Sequence, residues 1–131
     1  MTAETSPVYL EQLAERFAKA FAAFVEAVRA AIEQAAADPA MGALPGLVNW
    51  QTDALPRLEQ ENTAIQNGLA RSLIGETGTI AQLARDQLGL AKRLDGFPLD
   101  FAGADQANQL DQLETAVVVA AYRLLQYSGN L

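Results

Sequence analysis

Carboxylates are the side chains in this sequence whose type and spacing could support metal-ion or acid–base chemistry. Glu11 and Glu15 stand four residues apart and Asp111 and Glu114 stand three apart, so each pair would share one face of a helix. Such a pair could supply half of a Mg²⁺ site, because Mg²⁺ prefers oxygen ligands. A solvated helix surface explains both pairs better, and we expect neither a metal ion nor another cofactor.

The absence of histidine and cysteine excludes most of the chemistry known for helical bundles. Phosphorelay bundles need histidine, di-iron bundles use Glu-x-x-His pairs, and c-type haem attachment needs Cys-x-x-Cys-His. Ser-His-Asp triads, disulfides and thiolate metal sites are excluded as well. All-helical nucleotide pyrophosphohydrolases combine Glu-x-x-Glu with Glu-x-x-Asp, and this chain has neither set. A carboxylate-metal-dependent hydrolase is therefore the weakest functional hypothesis.

The charge balance argues against nucleic acid as a partner. Nine basic and sixteen acidic residues give a net charge of −7, whereas phosphate binding needs clustered Lys and Arg. Lys92 and Arg93 are adjacent, but two cations there fit the last turn of a helix. No apolar run approaches the roughly 20 residues that span a bilayer, and the first residues lack a signal-peptide pattern. We therefore expect a cytoplasmic protein.

Apolar periodicity predicts an all-α fold, with residues 1–131 forming one domain. Its single bundle has four main helices, at about 7–37, 53–74, 79–95 and 105–128. Pro7 suits a first helical turn, Asp53 is the expected cap of the second helix, and Asp38-Pro39 ends the first. Disorder is predicted for residues 1–6.

The connection at 38–52 is predicted to be ordered, although it is rich in Pro and Gly, because it holds the single Trp and several aliphatic residues. A short helical turn fits within it, and Trp50 is expected to cover the core. A plug of Phe97, Leu99 and Phe101 is expected in a short extended stretch at the bundle end. Asn62 falls on an apolar stripe, either as a bonded group that fixes helix register or at a wet edge.

Two helices are expected to present apolar residues to a partner. A first helix of roughly 30 residues would be about 45 Å long and would overhang shorter neighbours, and the last helix is apolar nearly all round for two turns. The candidate interaction surface consists of Phe17, Phe21, Phe24, Val28, Trp50, Val118 and Tyr122. A second copy of the chain would cover it most simply.

Three functional hypotheses follow from these patterns. The favoured one is a non-enzymatic assembly, adaptor or regulatory protein that acts through protein contacts and self-associates. The second is a bundle that binds an apolar ligand or lipid, since the helices are rich in Ala, Phe and Val. Its lipid form is weakened by the acidic polar faces, because helices that lie on membranes usually carry Lys and Arg there. The third is the carboxylate-metal hydrolase.

Overall fold

The computed structural model describes the backbone of residues 7–72, 77–94, 97 and 99–128. All the regular secondary structure in these residues is helical. The helices are α1 (Pro7–Ala36), α2 (Pro45–Asn49), α3 (Leu55–Ser72), α4 (Thr77–Gln87), α5 (Leu90–Arg93) and α6 (Ala104–Ser128). Helices α1, α3, α4 and α6 form the bundle, in which α1 and α4 each pack against both α3 and α6. The predicted all-α bundle of four main helices is confirmed.

The second predicted helix is found as α3, but the prediction that Asp53 caps it is wrong. Helical backbone already begins at Pro45, and residues Trp50–Ala54 form one widened π turn before α3. The amide of Leu55 donates to the carbonyl of Trp50, five residues back. Pro56 explains the widening, because it has no N–H and its ring would press on the carbonyl four residues earlier. The Asp53 carboxylate lies 2.7 Å from an Arg57 guanidinium nitrogen instead of capping a helix.

The connection predicted at 38–52 is ordered, and the short helical turn expected within it is α2. The third predicted helix is interrupted at Leu88 and Gly89, where glycine weakens the helix, and it resumes as α5. The last predicted helix matches α6. The extended stretch predicted for the plug is wrong at its described residues, because the N–H of Phe97 bonds to the Leu94 carbonyl and the N–H of Ala102 bonds to the Leu99 carbonyl, as in turns. The prediction of disorder at 1–6 and the breaks expected at Gly75, Gly96, Pro98 and Gly129 lie outside the described residues.

The expected overhang of α1 is also wrong. Buried residues run along this helix from Leu13 to Ala35, and Tyr9 near its start packs edge-on against Tyr127 of α6 at 4.9 Å between ring centroids. Near its other end, α1 contacts α2, whose Leu47 is fully buried. Together, the helical segment that begins at Pro45 and the 25 residues of α6 cover the part of α1 for which the sequence predicts a partner.

Polar contacts at the sides of the bundle fix how the helices meet. Gln66 of α3 donates through Nε2 to the Ala18 carbonyl of α1 and to Asn62 Oδ1, both at 3.1 Å. Half-buried Asn62 is therefore hydrogen-bonded, but the contact between the two helices is made by Gln66. The Arg29 guanidinium lies 2.7 Å from a Glu59 carboxylate oxygen, and this hydrogen bond raises the pKa of Arg29 above its usual value.

Candidate functional site

Four residues of the predicted interaction surface lie in the interior of the single chain. Phe17, Phe21, Phe24 and Val28 are each at most 2% exposed, and the rings of Phe17 and Phe21 are 6.3 Å apart. They cannot form an exposed surface, because α3, α4 and α6 cover this face of α1. Their placement on a partner-facing surface is therefore corrected. Val118 is half-buried, and Tyr122 is 47% exposed.

Trp50 covers the core from the π turn, as the sequence predicted. Its side chain is 2% exposed, and its indole Nε1–H donates to the Phe97 carbonyl at 3.0 Å. The Trp50 and Phe97 rings pack at 5.8 Å between centroids. A buried indole N–H needs a partner, so this bond fixes both the ring and the turn that carries Phe97. Trp50 is thus a buried wall of the bundle end and not an exposed docking residue.

A cavity of about 310 Å³ lies beside this indole, and we call it the Trp50 cavity. Its described lining residues are Phe24, Val28, Trp50, Leu94, Phe97, Leu99, Leu110, Asp111 and Glu114. Seven of them are apolar, which is typical of a small-molecule site. The cavity therefore lies where α1, the π turn and α6 meet the segment that follows α5.

The residue that follows the lining residue Leu99 is held to α2 by a hydrogen bond. The backbone N–H of Gly46 donates to an Asp100 carboxylate oxygen at 3.0 Å. Asp100 follows Leu99 and precedes buried Phe101, so this bond and the indole bond of Trp50 hold the two sides of the turn. Two hydrogen bonds thus anchor Phe97 and Asp100 to the helical segment that carries Gly46 and Trp50, which favours a preformed cavity over one that opens only with a ligand.

Two carboxylates lie on the α6 side of this apolar cavity. Asp111 is exposed and Glu114 is half-buried, and their spacing of three residues places both on one helix face. None of the described lining residues is basic. The sequence indicates a possible metal role for this pair but does not predict the apolar cavity beside it. The available signal was the Phe97–Leu99 segment, which is predicted as a plug.

A second hollow, of about 230 Å³, lies between α1 and α6, and we call it the Val119 hollow. It is lined by Leu13, Arg16, Ala116, Val119, Ala120 and Arg123. Val119 is 42% exposed, and Tyr122 beside it is also exposed. Its floor is apolar, but its two charged lining residues are arginines, so its charge is opposite to that of the Trp50 cavity.

A polar cluster around buried Gln87 joins α3 to α4 and α5. Gln87 is 2% exposed, and its amide nitrogen donates to the Glu61 carboxylate, while its amide oxygen accepts from Arg93 at 2.8 Å. Arg93 also lies 3.1 Å from Glu61. Arg93 thus does more than complement a helix end, whereas exposed Lys92 fits that prediction. The cluster is internally satisfied, so it is a structural contact and not a reactive site.

Within the described part of the chain, no three acidic residues come together in a group that could hold a metal ion. The helices described here include none that is both long and apolar enough to cross a bilayer. Comparison of the chain with protein-family models, curated proteins and solved structures gives no match.

Proposed function

We propose that this chain is a non-enzymatic binding protein whose Trp50 cavity holds the apolar part of a small organic molecule. The observation that carries the proposal is the cavity of about 310 Å³ with seven apolar lining residues. Its volume reaches the lower end of the roughly 300–1,000 Å³ of known ligand pockets. Residence in the cytoplasm and the absence of a cofactor, both expected from the sequence, belong to the same proposal.

The burial of the α1 phenylalanines favours this hypothesis over the adaptor hypothesis that the sequence ranked first. A protein-docking surface needs exposed anchors, and Phe17, Phe21 and Phe24 supply none because the bundle already covers them. Phe24 instead contributes to the lining of the cavity. Half-buried Leu94, Phe97 and Leu99 leave that cavity reachable from solvent.

Titration with phenylbutanol, a neutral molecule with an apolar body, tests the proposal. Trp50 is the only tryptophan, so its fluorescence reports directly on the cavity wall. We expect a saturable change in fluorescence and a rise in the unfolding midpoint, because a ligand that binds the folded state stabilises it. No saturable response up to the solubility limit of the alcohol would overturn the proposal.

The variant Leu99→Gln locates this binding within the chain. Leu99 lines the cavity and is half-buried, so a polar side chain of similar length should leave the fold intact. We expect binding about 5- to 10-fold weaker, since apolar contact is replaced by a group that prefers water. The matched control is Leu83→Gln, at a half-buried position of α4 outside the cavity lining. Equal weakening in both variants would place the ligand elsewhere.

The exposed apolar residues of α6 support self-association as a second candidate function. Val119 and Tyr122 remain 42% and 47% exposed, beside the Val119 hollow. Arg16 and Arg123 border that hollow on a chain of net charge −7, so an acidic region of a second copy would complement it. This proposal keeps the predicted homo-oligomer and the last-helix part of its predicted surface, and it leaves out the buried phenylalanines of α1.

Light scattering over a concentration series tests this second candidate. We expect the unmodified chain to form dimers at high micromolar concentration and Val119→Asp to shift the equilibrium toward monomer by about 10-fold or more. Gln82→Asp, at an exposed position of α4, adds the same charge outside the hollow and should leave the equilibrium unchanged. An unmodified chain that stays monomeric throughout the series would disprove self-association.

A further inference from the structure

We propose that the ligand of the Trp50 cavity is a cation with an apolar body, such as an aryl or alkyl amine. This inference rests on the proposed function and adds the charge of the molecule bound. It is carried by the juxtaposition of the apolar walls with Asp111 and Glu114, and by the absence of a basic residue among the described lining.

Both carboxylates add negative charge to this side of the cavity, Asp111 at an exposed position and Glu114 with a further interaction inside the chain. They stand three residues apart on α6, so their negative charges repel each other across one helix face. An ammonium group between them would be attracted by both, and attraction is stronger beside an apolar wall than in open water. An anionic ligand such as a fatty acid would instead place a third negative charge there. The two side chains therefore favour a cationic ligand over an anionic ligand of the same shape.

The aromatic walls favour the same charge. Phe24, Trp50 and Phe97 all line the cavity, and aromatic ring faces attract cations. The net charge of −7 also raises the local concentration of cations around the chain. A metal ion is the poorer occupant, because no group of three potential metal ligands occurs among the described residues and the other cavity walls are apolar.

The Val119 hollow is an internal contrast within the same molecule. It offers an apolar floor with Arg16 and Arg123, whereas the Trp50 cavity offers apolar walls with Asp111 and Glu114. An apolar anion that binds this protein should therefore prefer the hollow, and an apolar cation should prefer the cavity. Comparing the two sites therefore separates a preference for ligand charge from a general affinity for apolar molecules.

Three probes of nearly equal shape test the inference: phenylbutylamine, phenylbutanol and phenylbutyrate, followed by calorimetry and Trp50 fluorescence at neutral pH. We expect the amine to bind about 5- to 10-fold tighter than the alcohol, the range for partly exposed ion pairs. Phenylbutyrate should bind the cavity more weakly than the alcohol. The preference for the amine should shrink as salt is added, because exposed charges are screened.

The double variant Asp111→Asn/Glu114→Gln removes the charges with little change in shape. It should reduce amine affinity to that of the alcohol and leave alcohol binding unchanged, which also shows that the cavity is intact. The control Glu11→Gln/Asp86→Asn removes two charges outside the cavity lining and should change amine affinity by less than about twofold.

The possible failures are distinguishable. Equal affinity for amine and alcohol, or an amine preference that survives the double variant, would overturn the cationic ligand while leaving an apolar-ligand function in place. Tighter binding of phenylbutyrate than of the alcohol at Trp50 would reverse the charge assignment. Absence of binding by all three probes would overturn both the charge assignment and the proposed function.

Discussion

The variant Phe21→Ala is expected to lower the free energy of unfolding by about 3–5 kcal/mol, the range for phenylalanine truncated in a packed core. The Phe21 side chain is fully buried at the centre of α1, and Phe17 packs beside it. Loss of the ring removes apolar burial and leaves a cavity that neighbouring helices fill only in part. Urea denaturation followed by circular dichroism would measure the change.

Tyr122→Ala is the matched control for this prediction, because it also truncates an aromatic residue on a long helix. Tyr122 is 47% exposed, so its loss should cost less than about 1 kcal/mol. Similar small costs for both variants would contradict the burial of Phe21 in the core.

Trp50→Ala is expected to be comparably destabilising, by about 3–5 kcal/mol, and to abolish probe binding in the cavity. The change removes a buried indole and leaves the Phe97 carbonyl without its donor. Calorimetric titration with phenylbutanol would measure binding, since the fluorescent group is lost, and thermal unfolding would measure stability.

Trp50→Phe separates the hydrogen bond from the aromatic wall. A ring remains at this position but cannot donate to the Phe97 carbonyl, so we expect a cost of about 1–3 kcal/mol with measurable binding retained. Equal loss of stability in Trp50→Phe and Trp50→Ala would mean that the indole hydrogen bond, and not the packing of the ring, contributes most of the stability. Unchanged stability in Trp50→Ala would contradict the buried position of the indole.

Much of the fold could be predicted because its signals are local. Pro39 ends α1 through steric exclusion of helical backbone at Asp38, and the apolar spacing of α6 persists over many turns. The predicted cap at Asp53 is wrong although an acidic residue shortly before a proline is typical of a helix start. In the structure Pro56 is accommodated inside a helical segment by the π turn, which depends on tertiary packing of Trp50 and Ala54.

The candidate site was only partly predictable. The pair Asp111 and Glu114 was visible from its spacing, and Trp50 was recognised as a core cover. The cavity joins residues from α1, the π turn, the segment after α5, and α6, which are distant in sequence. No local pattern shows that their walls leave a space, because a void depends on how side chains from several elements fail to meet.

The sequence by itself determined the helical class, the positions of the main helices, and the exclusion of histidine and cysteine chemistry. Only the tertiary structure decided that the α1 phenylalanines are interior, that α6 keeps Val119 and Tyr122 outside, and that Trp50 borders a cavity. The physical reason is that periodicity identifies which face of a helix is apolar. What covers that face depends on contacts between distant segments, which periodicity does not encode.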